Sequence, residues 1–539
     1  MFVAMRSSIA FVFAMINGCT IIGCTLAGGA ETSENDPTTG GSSGAATTAP
    51  TTTGATNPST TAATDGSTVG TTGVNTTVAE TAPDDTADDT PLFDVQGAEV
   101  DMGSQPVFEG IPQTCAEALL AQSTVGCSFH AAKLQNFTEQ NSSVVVGNVT
   151  DAAVATVQLY FAPGGVEEPV GDPVDVAPGE AHEFVLTSPS QPGDVSVHRI
   201  GGSYRVDSDA PLVAYQHSPI NAQATNDSSL LIPDHALGQY YIVATWETTL
   251  NGYTSAFGVI GIEDNTTVEW TPRFPTIGGT GVDAVAAFET GMATINHFDL
   301  LQVLAPSDAS GTIIETSKPA WVVGTIPCVN VPSGVTFCDH IEELLIPLDY
   351  WGTEYVGAHA PNRGTESYWW RIYSASDGVT ITTNPPQPGT PIQLDRGEFH
   401  EFSTQESFIA TGTGPFMPVQ YLEGTDGGAG TGDPASYQMV PAEQFLPRYV
   451  FITGTGYTEN YAQIIRPQGG APVTVDGIVV DGFTDIGDYE VADWPIAEGA
   501  HVADSDDPFG VIQVGYTDVT SYAYPGGLAL GFINPNPQG

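Results

Sequence analysis

The sequence predicts an all-β protein made of four tandem antiparallel β repeats. From about residue 98 onward it consists of short runs rich in Val, Ile, Thr, Phe and Tyr that are separated by turn residues, as in VATVQLYFAPGG and APVTVDGIVV. Similar runs recur along the chain at a nearly constant spacing, which indicates a repeated unit. Only TCAEALLAQ, near residue 114, has a helical pattern.

Each repeat contains a strand, a short polar turn, a proline and a second apolar strand. The prolines are separated by 108, 96 and 93 residues and are Pro211, Pro319, Pro415 and Pro508. Hairpins are predicted at 143–160, 257–270, 367–384 and 461–477. The repeats form either β-sandwich modules in series or a propeller-like ring. A series is favoured because GLALGFIN, at 527–534, resembles the first strand of a fifth unit.

The chain divides into four segments. Residues 1–23 resemble a lipoprotein signal peptide, because Ile21-Ile22-Gly23 precedes Cys24 as in a lipobox, which implies lipidation of Cys24. An ordinary cleaved signal peptide is the alternative. Residues 24–97, rich in Thr, Gly, Ala and Ser, predict a disordered tether. A lead-in segment at 98–141 precedes the repeat domain at 142–539, with repeats at about 142–255, 256–366, 367–460 and 461–539.

The net charge restricts the class of partner. There are 63 acidic and 11 basic residues, which gives a formal charge of −52. A surface of this kind repels phosphate backbones and anionic lipid headgroups. We therefore expect no nucleic-acid partner, and membrane contact only through the lipid anchor.

Four cysteines follow the N-terminal segment, in two close pairs. Three connectivities are possible, and the spacing favours local bonds between Cys115 and Cys127 and between Cys328 and Cys338. Neither pair has zinc-site spacing or a neighbouring histidine cluster. The pattern predicts two small disulfide loops in an exported protein and no bound metal or cofactor.

An Asp-His pair, Asp234 and His235, follows a proline in SSLLIPDHALGQYYIVATW and could begin a catalytic site. The equivalent segments after Pro347 and Pro441 replace the histidine with Asp349 and Glu443. The apolar and aromatic positions around it persist, as Leu237, Trp351, Phe445, Tyr241, Tyr355 and Tyr449. The segment is therefore predicted to be a packing element without a catalytic role.

A second histidine pattern occurs in PGEAHEF and RGEFHEF. Glu180 with His182, and Glu398 with His400, would share one face of a strand and could bind a metal or act as a base and a carboxylate. Because the fourth copy has a tyrosine there, we expect a cross-strand polar ladder. Acidic turns in RVDSDAP and VADSDDP lack counterparts in the other two repeats, so no repeat-wide calcium site is predicted.

The order of these segments resembles a known family. DSDAPLVAYQHS followed by SSLLIPDHALGQYYIVATW, and TSKPAWVVG followed by LLIPLDYWGTEYVGA, are similar to the IgGFc-binding protein N-terminal domain, which also occurs in bacterial surface lipoproteins. The resemblance covers about residues 112–534. It implies an extracellular binding or adhesion protein without an assigned catalytic residue. Together with the lipobox, this predicts a non-enzymatic lipoprotein of the outer membrane or cell surface, with an extracellular protein or glycan as ligand. The alternative is a secreted or surface hydrolase, possibly carbohydrate-active.

Three loops at equivalent places in the repeats differ in every copy, at 217–229, 325–340 and 423–436. Variable loops on a repeated scaffold commonly carry recognition. The sequence therefore predicts a binding edge here. Its candidate residues are Asn330 and Phe337 in the disulfide-closed loop and Asn226, Asp227 and Asp426 in the other two.

Overall fold

The computed structural model describes residues 110–136, 140–222 and 224–539, and it confirms an all-β fold for them. The predicted helix is present as α1 (Cys115–Ala121). It begins after Thr114, whose side chain forms a capping box with Glu117. The segments assigned to the signal peptide and the tether lie outside the described residues.

Each repeat folds as a sandwich of two antiparallel sheets. In the first sandwich one sheet has the order β1-β6-β3-β4 and the other the order β5-β2-β6-β7. Strand β6 belongs to both because it passes from one sheet to the other near Pro211. The strands are β1 (Gly126–Ala131), β2 (Ser142–Asn148), β3 (Ala155–Pro163), β4 (Glu168–Val176), β5 (Ala181–Leu186), β6 (Ser196–His217) and β7 (Ser228–Leu230).

The second sandwich has the orders β8-β14-β10-β12 and β13-β9-β15-β16. Its β13 also pairs with β6, which joins the first two repeats into one sheet. The strands are β8 (Tyr240–Ile242), β9 (Ser255–Gly261), β10 (Thr266–Thr271), β11 (Gly279–Thr280), β12 (Gly291–Ile295), β13 (Asp299–Ala305), β14 (Ile313–Thr316), β15 (Ala320–Val329) and β16 (Asp339–Leu344).

The third sandwich has the orders β17-β22-β19-β20 and β21-β18-β23-β24. As in the second, the chain changes sheet at the repeat proline, here Pro415, between β22 and β23. The strands are β17 (Glu354–Gly357), β18 (Tyr368–Ser374), β19 (Val379–Asn384), β20 (Ile392–Leu394), β21 (Phe399–Thr404), β22 (Phe408–Gly412), β23 (Phe416–Tyr421) and β24 (Ser436–Gln438).

The fourth sandwich has the orders β25-β31-β27-β28 and β29-β30-β26-β31-β32. Its long strand β31 spans both sheets, as β6 does in the first. The strands are β25 (Leu446–Ile452), β26 (Glu459–Pro467), β27 (Thr474–Val475), β28 (Ile478–Val479), β29 (Thr484–Ile486), β30 (Tyr489–Pro495), β31 (Ala500–Thr517) and β32 (Thr520–Pro525).

The predicted hairpins are wrong in one respect. The two runs of each predicted hairpin, for example β2 and β3, lie in opposite sheets of the sandwich and do not pair with each other. Local pairing occurs one step later, between β3 and β4 and between β10 and β12. Alternation of apolar residues identifies strands, but it does not tell which neighbour a strand pairs with.

The repeats form a closed ring, so the expectation that favoured an open series is wrong. Strand β7 packs against β16, β16 against β24, β24 against β32, and β32 against β7. The tail that resembled a fifth repeat adds no such strand. Instead Leu528 accepts a hydrogen bond from the backbone of Thr124 at 3.1 Å, and Ser123 forms a bridge with Ala529. The two ends of the repeat region therefore meet.

Strand β1 explains how the ring closes. In the other three sandwiches the first strand, β8, β17 or β25, follows directly from the preceding repeat. In the first sandwich this position is taken by β1, from the lead-in segment, which pairs with β6. The N-terminal lead-in thus supplies the strand that a fifth repeat would otherwise provide.

The segment that contains Asp234 and His235 has the same local structure as its two equivalents. Short 3₁₀ helices begin after the equivalent prolines, at Asp234–Ala236, Leu348–Tyr350 and Ala442–Gln444. The conserved spacing of the tyrosines has a structural reason, because each hydroxyl accepts a hydrogen bond from the backbone N–H of the residue three positions earlier. These acceptors are Tyr241, Tyr355 and Tyr449, at 2.9, 3.0 and 2.8 Å.

Candidate binding face

The three variable loops lie at the same end of their sandwiches. They connect β6 to β7, β15 to β16 and β23 to β24, and the 3₁₀ helices follow at the opposite ends of β7, β16 and β24. The second and third loops contact each other and expose part of their length. We call their exposed residues the loop face; these are Ser333, Gly334, Thr336, Phe337, Asp426 and Gly430.

The second loop is closed by the predicted disulfide between Cys328 and Cys338. The backbone N–H of Asn330, which is partly exposed, donates to the Thr249 hydroxyl at 2.8 Å. Phe337 has a left-handed backbone conformation with φ of 71°, which is uncommon for a residue other than glycine, and its side chain is 49% exposed. The disulfide next to it holds an aromatic side chain out into solvent.

The third loop lies against the second. The Gly424 N–H donates to the Val331 carbonyl at 2.9 Å, and the Thr336 hydroxyl donates to the Asp426 carboxylate. A short 3₁₀ helix, Thr425–Gly427, gives this part of the loop a defined shape. Asp426 and Phe337 are therefore neighbours on one surface, although they come from different repeats.

The third loop also has a buried carboxyl, Asp433. It accepts hydrogen bonds from the Thr425 N–H at 3.2 Å and the Thr425 hydroxyl at 2.7 Å, and its own N–H donates to Ser521 in β32. Burial raises the pKa of Asp433 to about 6. Its charge state therefore changes just below neutral pH, inside the loop that presents Asp426.

Two of the five predicted binding residues are not on the surface, which corrects the prediction for Asn226 and Asp227. Both are fully buried where β7, β16, β24 and β32 meet. The Asn226 N–H donates to Asp339 at 2.7 Å, and Asp227 accepts from the Ser436 N–H at 3.1 Å. These two side chains connect the repeats and cannot contact a partner while the ring is closed.

The centre of the ring is unusually acidic for a buried region. Burial raises the pKa values of Asp227, Asp339 and Glu343 well above their ordinary range. Within the described residues, Oε2 of Glu343 has no hydrogen-bond partner. Raised pKa values favour neutral, protonated carboxyls here, which limits the repulsion between them.

The predicted polar ladder is not formed. In the sheet register His182 lies opposite Val146, and His400 lies opposite Ile372. Glu398 instead accepts a hydrogen bond from Arg273 of the preceding repeat at 3.4 Å. The two Glu-His pairs therefore do not face each other across strands, and each side chain makes its own contacts within a repeat or with a neighbouring repeat.

The carboxylates of both acidic turns have protein partners. Asp207 accepts from Arg205 at 2.7 Å and Asp209 from the Thr156 N–H at 2.7 Å. In the other turn Asp504 pairs with Arg448 at 3.2 Å, and Asp507 accepts from the Ala471 N–H at 2.9 Å. In the part of the chain that the structure describes, no group of three or more His, Cys, Asp or Glu side chains could hold a metal ion.

Two larger cavities lie away from the loop face. One, of about 580 Å³, is mainly apolar and is lined by residues of the lead-in, the first sandwich and the fourth sandwich, including Ile111, Val213 and Leu446. The other, of about 600 Å³, is polar and is lined by His359, Asp493 and other residues of the third and fourth repeats. The buried carboxyls at the ring centre line neither cavity.

Sequence reasoning did not identify the contact between Thr336 and Asp426 or the buried position of Asp433. Thr336 and Asp426 belong to different repeats, and Asp433 contacts Ser521 of the next repeat. No spacing within a short stretch of sequence predicts such contacts. The one available signal was the equivalence of the loops, which places them at one end of the sandwiches but does not tell which side chains meet.

Comparison with known proteins adds two findings. A family model described as IgGFc binding protein matches residues 227–515. A human protein, IgGFc-binding protein, is 23% identical in an alignment of 353 residues that covers 61% of this chain but only 6% of the human protein. The matched region begins at Asp227 and includes the second and third loops. Among the described residues, no helix has both the length and the apolar character needed to cross a membrane.

Proposed function

The chain belongs to the IgGFc binding protein family, and from this premise we propose that it is an extracellular binding module whose partner contacts the loop face. The observation that carries the proposal is Phe337, a half-exposed aromatic side chain on a disulfide-closed loop. Aromatic residues held in this way are common centres of binding energy at protein interfaces.

The fixed positions of the second and third loops also favour the loop face as the binding surface. The hydrogen bonds from Gly424 to Val331 and from Thr336 to Asp426 fix the two loops against each other before any partner arrives. A surface that is already ordered loses less conformational entropy on binding. Loops that differ between repeats then give one asymmetric face on a nearly symmetric scaffold.

The partner class follows from the charge and the family. A formal charge of −52 disfavours nucleic acid and favours an extracellular protein, or a glycan carried by one, with a neutral or basic contact surface. The human relative is named for binding IgG Fc, so the Fc fragment is the first protein to test. The fully buried carboxyls at the ring centre lie outside both cavities, so they cannot supply the carboxyl pair that the hydrolase alternative requires in an open cleft.

Attachment to the cell surface is a separate part of the proposal. The lipobox-like residues Ile21-Ile22-Gly23 precede Cys24, and a long segment rich in Thr, Gly and Ser follows before the repeats. We expect the mature protein to begin at a lipidated Cys24, and Cys24→Ala to be released or left unprocessed. Mass spectrometry of the mature N-terminus checks this, and an unlipidated terminus at another residue would contradict it.

The binding test changes two side chains of the loop face and the adjacent, partly exposed Asn330, because replacing whole loops would remove the buried contacts of Asn226 and Asp227. The variant Asn330→Ala, Phe337→Ala, Asp426→Ala should keep the wild-type melting temperature and lose most adhesion and partner capture. The control is Phe532→Ala, an aromatic residue that is 72% exposed and packs on Tyr350 near the 3₁₀ helices. Equal adhesion of the folded triple variant and wild type would refute the assignment of the loop face.

A further inference from the structure

Two histidines from different repeats meet where the first two sandwiches join. His130 lies on β1, and His297 lies just before β13. Their Nε2 atoms are 3.3 Å apart, and their ring centroids are 5.4 Å apart. The two rings therefore point their Nε2 edges at each other.

A carboxylate fixes the tautomer of the inner histidine. Nδ1 of His130 lies 2.8 Å from Oδ1 of Asp234, and the Ser128 hydroxyl donates to the other oxygen of that carboxylate at 2.5 Å. A proton on Nδ1 leaves Nε2 of His130 with a free lone pair aimed at His297. Carboxylates behind metal-binding histidines have this role in known metal sites.

The separation of the two nitrogens is informative. A hydrogen bond with an N–H donor has its acceptor most often at about 2.9–3.0 Å, so 3.3 Å is long for a direct bond. Two nitrogens bound to one tetrahedral zinc ion, each about 2.0–2.1 Å from the metal, lie roughly 3.3–3.4 Å apart. The observed distance matches the second arrangement.

The solvent access of the two histidines and the pairing of the nearby arginine are compatible with a cation between them. His130 is only 1% exposed, whereas His297 is partly exposed and leaves a path from solvent. The nearby Arg205 is paired with Glu167 at 2.8 Å and Asp207 at 2.7 Å, so its charge is balanced.

We propose that His130 and His297 bind a divalent transition-metal ion of the zinc class through their Nε2 atoms, with Asp234 as the positioning residue behind His130. Water completes the coordination, since no third protein ligand is arranged around the pair in the described residues. A bound ion would tie β1, which closes the ring, to the start of β13. The site is independent of the loop face.

The test is calorimetric titration of the full-length protein with Zn²⁺ in an excess of Mg²⁺, which occupies carboxylate sites because it prefers oxygen ligands. The wild type should bind one Zn²⁺ and gain thermal stability with it. His297→Gln should abolish both effects, and Asp234→Asn should weaken binding about 10–100-fold.

The matched control is His182→Gln, which removes a partly buried histidine that packs on Phe184 and contacts no other histidine of the described residues. It should bind Zn²⁺ as the wild type does. If the wild type binds no Zn²⁺ above the Mg²⁺ background, or if folded His297→Gln binds it equally well, the proposal is wrong. Nitrogen couplings from two imidazoles in the EPR spectrum of a Cu²⁺-loaded sample would give independent support, and their absence from Cu²⁺-loaded protein would count against the site.

Discussion

Arg371 is a buried cation that joins the second and third repeats. It is 2% exposed, and its guanidinium donates to Asp308 at 2.9 Å and to Glu401 at 2.9 Å. The same group lies 4.1 Å from the centre of the Trp246 ring. Charge pairing, hydrogen bonding and a cation–π contact therefore act on one side chain at the junction of two sandwiches.

Replacing Arg371 with methionine should destabilise the protein by about 3–5 kcal/mol, because Asp308 would be left buried without its partner. Urea unfolding curves measure the change. Arg448→Met is the control, since this arginine is 32% exposed and its pairing with Asp504 should contribute at most about 1 kcal/mol. Similar losses in both variants would argue against a special role for the buried network.

Asp433 should make stability depend on pH in the opposite direction from most carboxylates. Its pKa rises from 3.8 to about 6 on burial, so the folded state prefers the protonated form. Stability from this group is complete below about pH 4 and is lost as the pH rises through about 6. Asp433→Asn should therefore gain about 2–3 kcal/mol relative to wild type between pH 4 and pH 7.5.

Thermal unfolding of both proteins across this pH range checks the prediction. The difference between variant and wild type is the quantity of interest, because the other titrating groups cancel in it. A difference that stays constant with pH would show that Asp433 titrates near its ordinary pKa.

At the scale of elements, the disulfide bond that closes the second loop should affect partner binding as well as the stability of the fold. In the chain-entropy model the bond between Cys328 and Cys338 contributes about 2–3 kcal/mol. Replacing both cysteines with serine should lower the melting temperature. It should also weaken partner capture at temperatures well below the melting temperature, where the variant is still folded, because the loop no longer fixes the position of Phe337. Removing the Cys115–Cys127 bond should cost comparable stability and leave capture intact. If both pairs of replacements reduce capture equally, the loop is not specifically involved.

Elements were predictable from the sequence where their signals are local or periodic. The equivalence of the proline-anchored segments, helix α1 and both disulfides depend on spacings of a few residues, whereas the 3₁₀ form of those segments was not predicted. Strand pairing was less predictable, because β2 and β3 are adjacent in sequence but lie in different sheets. The burial of Asp227 could not be read from its polar loop, since it depends on Ser436, 209 residues away.

At the scale of the whole molecule, ring closure unites the four sandwiches around one centre. The hydrophobic core runs through all of them as one cluster, from Phe129 in β1 to Leu530 in the tail. Polar contacts at the centre also span the chain, as in the hydrogen bond of 2.7 Å from the Thr520 hydroxyl to Asn226. The sequence predicted the number of repeats, but closure depends on which segment occupies the edge of the first sandwich, and that choice has no local signature.

Closure leads to a prediction about cooperativity. Leu528 and Leu530 are buried in the tail, and the tail contacts both the lead-in at Thr124 and the third repeat at Gln444. Deleting residues 527–539 should therefore release β1 as well as the tail, and lower the melting temperature strongly, because burial of each leucine contributes about 2–3 kcal/mol or more. Deleting only 535–539 should have little effect.

In scanning calorimetry the wild type should unfold in one transition, and the longer deletion should shift that whole transition to lower temperature. Separate transitions, with only the last repeat affected by the deletion, would mean that the repeats are energetically independent and that contact between the chain ends adds little to the fold.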